Sequence, residues 1–326
     1  MTDNGLRIVY MGTPEFAVYP LAQLIENGYN VVGVVTNPDK PAGRGQKLQE
    51  SAVKEYSVKQ GLPILQPEKF KDDDFLKVLK SWNADLNIVV AFKMLPQVVW
   101  NMPRLGTMNL HASLLPDYRG AAPINRVIMN GEDVTGVTTF LLNHGMDTGS
   151  LLLQKRVAIG ESMTAGELHD ELMIKGASLL TESIDLLASG NYRMIKQDEV
   201  LHGRVPKMAP KIFKEDMKIN WKQKLGVIYN QVRGLSPFPA AWTELRNTIN
   251  GEIVLLKIFK VTRSYNNNDI KFANPQLKTD YKTYLEILLP EGSLFIEELQ
   301  ISGRKRMKIQ EFLRGFRPDN YEIIDS

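Results

Sequence analysis

Short, largely apolar runs at residues 6–11, 31–35 and 86–92 alternate with stretches of helical periodicity in the first hundred residues. Runs without polar alternation read as strands buried on both faces, as in a parallel sheet with crossover helices. After the first run, Gly12-Thr13-Pro14-Glu15 supplies a tight turn, an N-cap hydroxyl, a proline for the first helical position and an early acid. Phe16, Leu21, Leu24 and Ile25 then mark a buried helix face that Gly28 ends, and Pro20 within it predicts a kink or a restart. Further strands are expected at 107–111, 136–142 and 151–157, with helices at 122–130 and 165–187. In the longer helix Leu168, Leu172, Leu179, Leu180, Ile184 and Leu187 recur at near-helical spacing before Ser189-Gly190. The pattern predicts an α/β, doubly wound, Rossmann-like domain over residues 1–190.

Residues 191–209 carry Gly203 and Pro206 without periodicity and read as a linker. Beyond a short helix at 223–233, runs at 252–262, 284–289 and 293–301 are rich in β-branched and aromatic residues and are separated by turn signals. A smaller β-barrel or sandwich is therefore expected over 210–326. The chain has 326 residues, 43% of them hydrophobic, and no apolar stretch near the ~18 to 20 residues of a membrane helix. No basic and apolar leader opens it, so a cytoplasmic protein is expected. It has no cysteine, which removes thiolate nucleophiles, disulfides and thiolate metal sites.

Charge divides the chain unevenly. Residues 1–190 hold 17 basic and 21 acidic side chains, whereas 191–326 hold 23 basic and 16 acidic. A C-terminal third at net +7 suits a polyanionic partner, although scattered solvated lysines would give the same count.

The densest group of special residues spans 109–123. Alternation places Asn109 and His111 on one face of the 107–111 strand, at the C-terminal edge where open α/β sheets hold ligands. An amide and an imidazole aimed together at that crevice can receive a carbonyl oxygen that is becoming an oxyanion. The same pair would also suit a structural cap and a buried histidine. Asp147, in the turn His144-Gly145-Met146-Asp147-Thr148-Gly149, could orient the imidazole. His111, His144, His169 and His202 include no i, i+4 pair, so no metal site is expected. Residues 36–47 place Arg44 between Gly43 and Gly45, a basic finger suited to phosphates. Gly12 stands outside any GxGxxG pattern, which disfavours a dinucleotide site.

These motifs together resemble the 10-formyltetrahydrofolate-dependent formyltransferase family, in its methionyl-tRNA formyltransferase branch. The resemblance rests on Gly12-Thr13-Pro14, Pro41-Ala42-Gly43-Arg44-Gly45, Asn109-Leu110-His111 running into Ser113-Leu114-Leu115-Pro116, Arg119-Gly120 and Asp147-Thr148-Gly149. It extends to Pro237-Phe238-Pro239 with Trp242 and to Gly303-Arg304-Lys305-Arg306-Met307, and so covers essentially the whole chain. It implies a barrel like the OB fold at the C-terminus and a catalytic trio of Asn109, His111 and Asp147. It also implies folate contacts at Ser113, Leu114, Leu115, Pro116, Ala91 and Phe92, and tRNA contacts at Arg44, Lys47, Arg304, Lys305 and Arg306. The implied reaction moves a formyl group from 10-formyltetrahydrofolate to methionyl initiator tRNA; no metal is expected from the histidine spacing, and a monomer is expected. One departure is visible: the family commonly has a tyrosine and a glycine before Leu-Pro, whereas Ala91-Phe92-Lys93-Met94-Leu95-Pro96 is one residue shorter. The rivals are a formyltransferase acting on an amino sugar nucleotide, which needs no arginine finger, and a catalytically silent RNA-binding protein.

Overall fold

Every residue of the strand Leu86–Val90 is buried, as are the last five of Arg7–Gly12, which is why neither run shows polar alternation. The computed structural model describes residues 5–42, 47–266 and 275–324. The first sheet has seven strands in the order Ile64–Leu65, Asn30–Val35, Arg7–Gly12, Leu86–Val90, Thr107–His111, Val134–Leu141 and Leu151–Ala158. The first five pair in parallel. The last two are antiparallel, so the parallel sheet ends in a hairpin. Strand order reverses between Arg7–Gly12 and Leu86–Val90, and a crevice opens at such a switch point beyond the carboxyl ends of the strands.

Local chemistry sets where elements stop. The strand expected at 86–92 ends at Val90 because Ala91 turns into the left-handed region, φ 47°. The helix expected after Gly12 begins as a single 3-10 turn, Glu15–Ala17, and restarts as the α-helix Val18–Glu26. Pro20 then falls in the first α-helical turn, where a missing N–H costs no intrahelical bond. The long helix runs Ala165–Ser189, and Leu172, Leu179, Leu180, Ile184 and Leu187 are all buried.

Chain contacts gather into two compact units. The first comprises Met1–Pro123, Val134–Ala158 and His169–Ala209, and the second Ile124–Asp133, Ile159–Leu168 and Pro210–Ser326. The aperiodic stretch after residue 190 groups with the first unit and contains the helix Gln197–Leu201. Ile195 exchanges backbone hydrogen bonds with Leu151, and Arg119 bridges in parallel to Met208.

The second unit is an antiparallel sheet in the order Gln276–Thr279, Leu285–Leu289, Gly292–Ile301, Ile253–Tyr265, Ala241–Asn247 and Tyr321–Ile323. Its two end strands approach one another, giving a nearly closed barrel. Leu256, Ile258, Leu285, Ile287, Leu294 and Ile296 fill it, together with Ile228 and Val232 from the helix Leu225–Gly234. No helix among the described residues is long and apolar enough to cross a membrane.

Candidate active site

His111 is the last residue of the strand Thr107–His111 and is 8% exposed. Its Nε2 lies 2.9 Å from the carbonyl oxygen of Tyr118. A carbonyl can only accept, so Nε2 carries a hydrogen and Nδ1 stands at the free edge of the ring. That edge faces Asp147, whose Oδ2 lies 4.0 Å from Nδ1. The separation exceeds hydrogen-bond length and leaves the two groups poised around a position a reacting atom could share. Asn109, two residues earlier on the same face, is half-buried beside Val89 of the neighbouring strand. His111 and Asp147 are thus brought together, while Asn109 lies two residues before His111 on the same strand.

Asp147 holds its place through backbone geometry. Asn143 accepts hydrogen bonds from the Gly145 N–H (3.0 Å) and the Thr148 hydroxyl (2.8 Å), which closes the turn. Asp147 itself takes a left-handed φ of 52°, and its Oδ2 accepts from the N–H of Gly120 at 3.0 Å. Gly120 has φ 125°, and a Cβ there would stand 2.4 Å from the carbonyl oxygen of Ala209. Both facts require glycine. Gly120→Ala is expected to cost at least ~2 kcal/mol of stability and to slow turnover by displacing the N–H that holds Asp147. Thermal melts beside steady-state kinetics check this, and a variant with parent-like melting and turnover would contradict it.

The loop after His111 is built inward. Ser113 is fully buried and donates to the Asp117 carbonyl at 2.6 Å, while Leu115 and Pro116 are also buried. The Thr138 hydroxyl donates to the Ser113 carbonyl (2.6 Å) and accepts from the Leu115 N–H (3.1 Å). Of the four residues from Ser113 to Pro116 only Leu114 is half-buried. Ala91 is exposed, and half-buried Phe92 packs edge-on against Phe70 with ring centroids 5.7 Å apart. The Lys93 ammonium sits 5.7 Å above the same Phe70 ring.

Sequence reading missed the polar lattice behind the site. Gln197, 3% exposed, accepts from Arg119 and donates to the backbone carbonyls of Asp147 and Gly149. Asp117 receives both arms of the Arg204 guanidinium at 2.7 Å and the Lys207 N–H at 2.9 Å. Burial works to raise the Asp117 pKa, but the guanidinium and the N–H outweigh it and hold the carboxyl below its ordinary value. Arg119 and Asp117 fall in the 109–123 group, whereas the signal for Gln197, Arg204 and Lys207 is only a cluster of charged and amide side chains in an aperiodic stretch.

The basic residues fall in several places. Arg44 lies outside the described residues. Lys47 opens a strand, Lys47–Gln49, that pairs antiparallel with Lys40–Ala42, so the finger is a two-stranded ribbon there. Arg304 and Lys305 are exposed on the second unit. Arg306 is paired with Glu298 and lies 4.4 Å from the Phe259 ring centroid. A cavity of about 470 Å³ in the second unit is lined by Lys214, Glu215, Lys218, Asn220 and Trp242. The ammonium groups of Lys214 and Lys218 stand 5.8 and 5.5 Å from the Trp242 ring, an aromatic and cationic surface that sequence reading passed over. His144 meets Trp100 edge-on and His169 pairs with Asp170, while His202 ends the Gln197–Leu201 helix. Among the described residues no group of three or more histidines and carboxylates could hold a metal.

The chain resembles known proteins over most of its length. The family profile "Formyl transferase" matches residues 6–184, and "Formyl transferase, C-terminal domain" matches residues 211–317. The methionyl-tRNA formyltransferase of Bacteroides thetaiotaomicron is 51% identical over 324 residues, covering 99% of this chain and 100% of that protein. The Parabacteroides distasonis protein of the same name is 52% identical over 319 residues, covering 97% and 98%. Among solved structures, a sugar 3N-formyl transferase crystallised with dTDP and 5-N-formyl-THF superposes with a TM-score of 0.62 at 21% identity. That match covers 92% of this chain and 99% of the other and shows a shared fold. The identity sustained over both units places the chain in the formyl transferase family, within its methionyl-tRNA formyltransferase branch.

Proposed function

We propose that the chain transfers the formyl group of 10-formyltetrahydrofolate to the free amine of methionyl initiator tRNA, for translation initiation, and that Asn109, His111 and Asp147 carry the chemistry. The carrying observation is the orientation of His111. With Nε2 committed to the Tyr118 carbonyl, its one free edge is the Nδ1 that faces Asp147. In the transfer the amine nitrogen bonds to the formyl carbon, the bond from that carbon to the folate nitrogen breaks, and the amine's proton ends on the folate nitrogen. The chain offers no thiol to carry the formyl group covalently, so direct attack by the amine is the simplest course.

Each residue then has a task. Asn109 donates an amide N–H to the formyl oxygen as negative charge develops there. His111, protonated at Nδ1, donates to the same oxygen. Asp147 balances the imidazolium and helps remove the amine's proton. Leu114, Phe92 and Ala91 retain accessible surface for the folate, and the buried side chains of Ser113, Leu115 and Pro116 shape the loop beside it. The first unit is the catalytic domain and the barrel the tRNA-gripping one, with Arg44 and Lys47 as further tRNA contacts.

On the barrel the Lys214, Lys218 and Trp242 cavity joins Arg304 and Lys305 as a surface for phosphates and an unstacked base. Arg306, already paired with Glu298, and Lys218, paired with Glu244 at 3.0 Å, contribute less. Log affinity for tRNA should fall with log salt by ~0.7 to 0.9 per phosphate contact, and Arg44→Ala and Lys214→Ala should each reduce that slope by about one contact. Trp242→Ala should cost ~1 to 3 kcal/mol of tRNA affinity if a base stacks on the indole, with folate binding unchanged. The decisive assay compares formylation of charged initiator tRNA with that of an amino sugar nucleotide. Turnover confined to the sugar nucleotide, or a tRNA affinity indifferent to salt and to all three substitutions, would overturn the assignment.

A further inference from the structure

The side chain of Gln197 is almost fully buried, 3% exposed, at the first residue of the helix Gln197–Leu201. All of its hydrogen-bonding capacity is used. Its Oε1 accepts from Arg119 Nε at 2.9 Å and from Arg119 Nη2 at 2.6 Å. Its Nε2 donates to the Asp147 carbonyl and to the Gly149 carbonyl, each at 2.8 Å. Rotating the amide by half a turn would set NH₂ against a guanidinium and oxygen against two carbonyls, so the donors and acceptors admit one orientation.

These four bonds converge on the two segments that hold the Asp147 carboxylate. On one side they fix the backbone of the turn at a residue in the left-handed region, φ 52°. On the other they fix Arg119, the residue before Gly120, whose N–H binds Asp147 Oδ2 at 3.0 Å. A neutral amide also satisfies the Arg119 guanidinium without placing a second carboxylate beside Asp147, which like-charge repulsion would penalise.

We propose that Gln197 is a positioning residue for the formyl transfer: it clamps the Asp147 turn to the Arg119–Gly120 loop and so keeps the Asp147 carboxylate at the free edge of His111. It acts through Asp147 and touches neither substrate. This role rests on the reading of Asn109, His111 and Asp147 given above. Removing it loosens one catalytic group while leaving the folate contacts and the barrel in place, so the loss appears in turnover and not in binding.

The test is a double-substitution cycle on the full chain, with Gln197→Met, Asp147→Asn and the pair assayed for formylation of charged initiator tRNA. Gln197→Met keeps the side-chain length without its polar groups. Gln197→Glu, a near-isostere that keeps the Arg119 pairing but cannot donate to the two carbonyls, serves should the first variant fold poorly. Expected are a kcat lower by about 10-fold or more, KM values and folate affinity within about 3-fold of the parent, and less than about 2-fold further loss in the Asp147→Asn background. Parent-like kcat in both Gln197 variants beside a slow Asp147→Asn would overturn the positioning role alone. Equal losses in the two backgrounds would also overturn it, because they would show a structural effect independent of Asp147. Parent-like turnover of Asp147→Asn itself would remove the reading of the site, and the clamp with it.

Discussion

His111→Ala is expected to lower kcat by at least ~10²-fold while leaving the affinity for 10-formyltetrahydrofolate nearly unchanged. The ring has one hydrogen committed to the Tyr118 carbonyl at 2.9 Å, so the reactive edge is Nδ1, and His144, the other histidine in the Asp147 turn, packs edge-on against Trp100 instead. On the proposed mechanism, alanine removes both the proton that meets the developing oxyanion and the partner that gives Asp147 its role. The substitution should therefore be strongly non-additive with Asp147→Ala: the pair of changes should cost little more than His111→Ala alone, as for groups that act as a unit. A second consequence concerns stability. The Tyr118 carbonyl loses a buried donor, worth ~1 to 3 kcal/mol, so turnover must be measured well below the melting transition. A soluble, folded His111→Ala protein with near-parent turnover at saturating substrates would take the imidazole out of the mechanism.

How far the molecule was legible beforehand depended on whether apolar spacing or polar contact ordered each part. The strand Thr107–His111 has the bounds that the sequence predicts, because Gly106 precedes it and a loop of special residues follows it. Alternation alone placed Asn109 and His111 on one face. The strand Ala241–Asn247 carried the same kind of signal in its buried Ala241, Thr243 and Leu245 but was not read from it. Ala91 could not be foreseen as a turn, since nothing about an alanine announces φ 47°. The antiparallel pairing of the final two strands was likewise hidden, because their apolar content is compatible with either direction. Gln197 and Arg119 illustrate the deeper obstacle. Their partnership joins residues 78 positions apart through hydrogen bonds, and no periodicity in either segment encodes it. A site made visible by spacing was thus supported by groups that spacing does not reveal.

Asn109 offers the second large effect, and its sign can be set by the choice of replacement. If Asn109 donates to the formyl oxygen as proposed, Asn109→Ala should cost ~3 kcal/mol in the transition state, about 10²-fold in kcat, with folate affinity little changed. Asn109→Asp keeps the shape of the side chain, half-buried on the sheet beside Val89, but exchanges the N–H donor for a second acceptor that is negative when ionised. A carboxylate at that position faces the oxygen just as charge accumulates on it, and low-dielectric surroundings make that repulsion stronger than in water. The aspartate variant should therefore be slower than the alanine variant, by a further ~10-fold or more, although it is the closer isostere. If Asn109 instead served only to pack the strand, the order would reverse, with the isosteric aspartate near the parent and alanine the more damaged of the two. Measuring kcat at saturating folate and charged initiator tRNA for the two variants side by side decides between donor and spacer. The order of the two variants decides the matter and not their absolute activity, because only the oxyanion reading places aspartate below alanine.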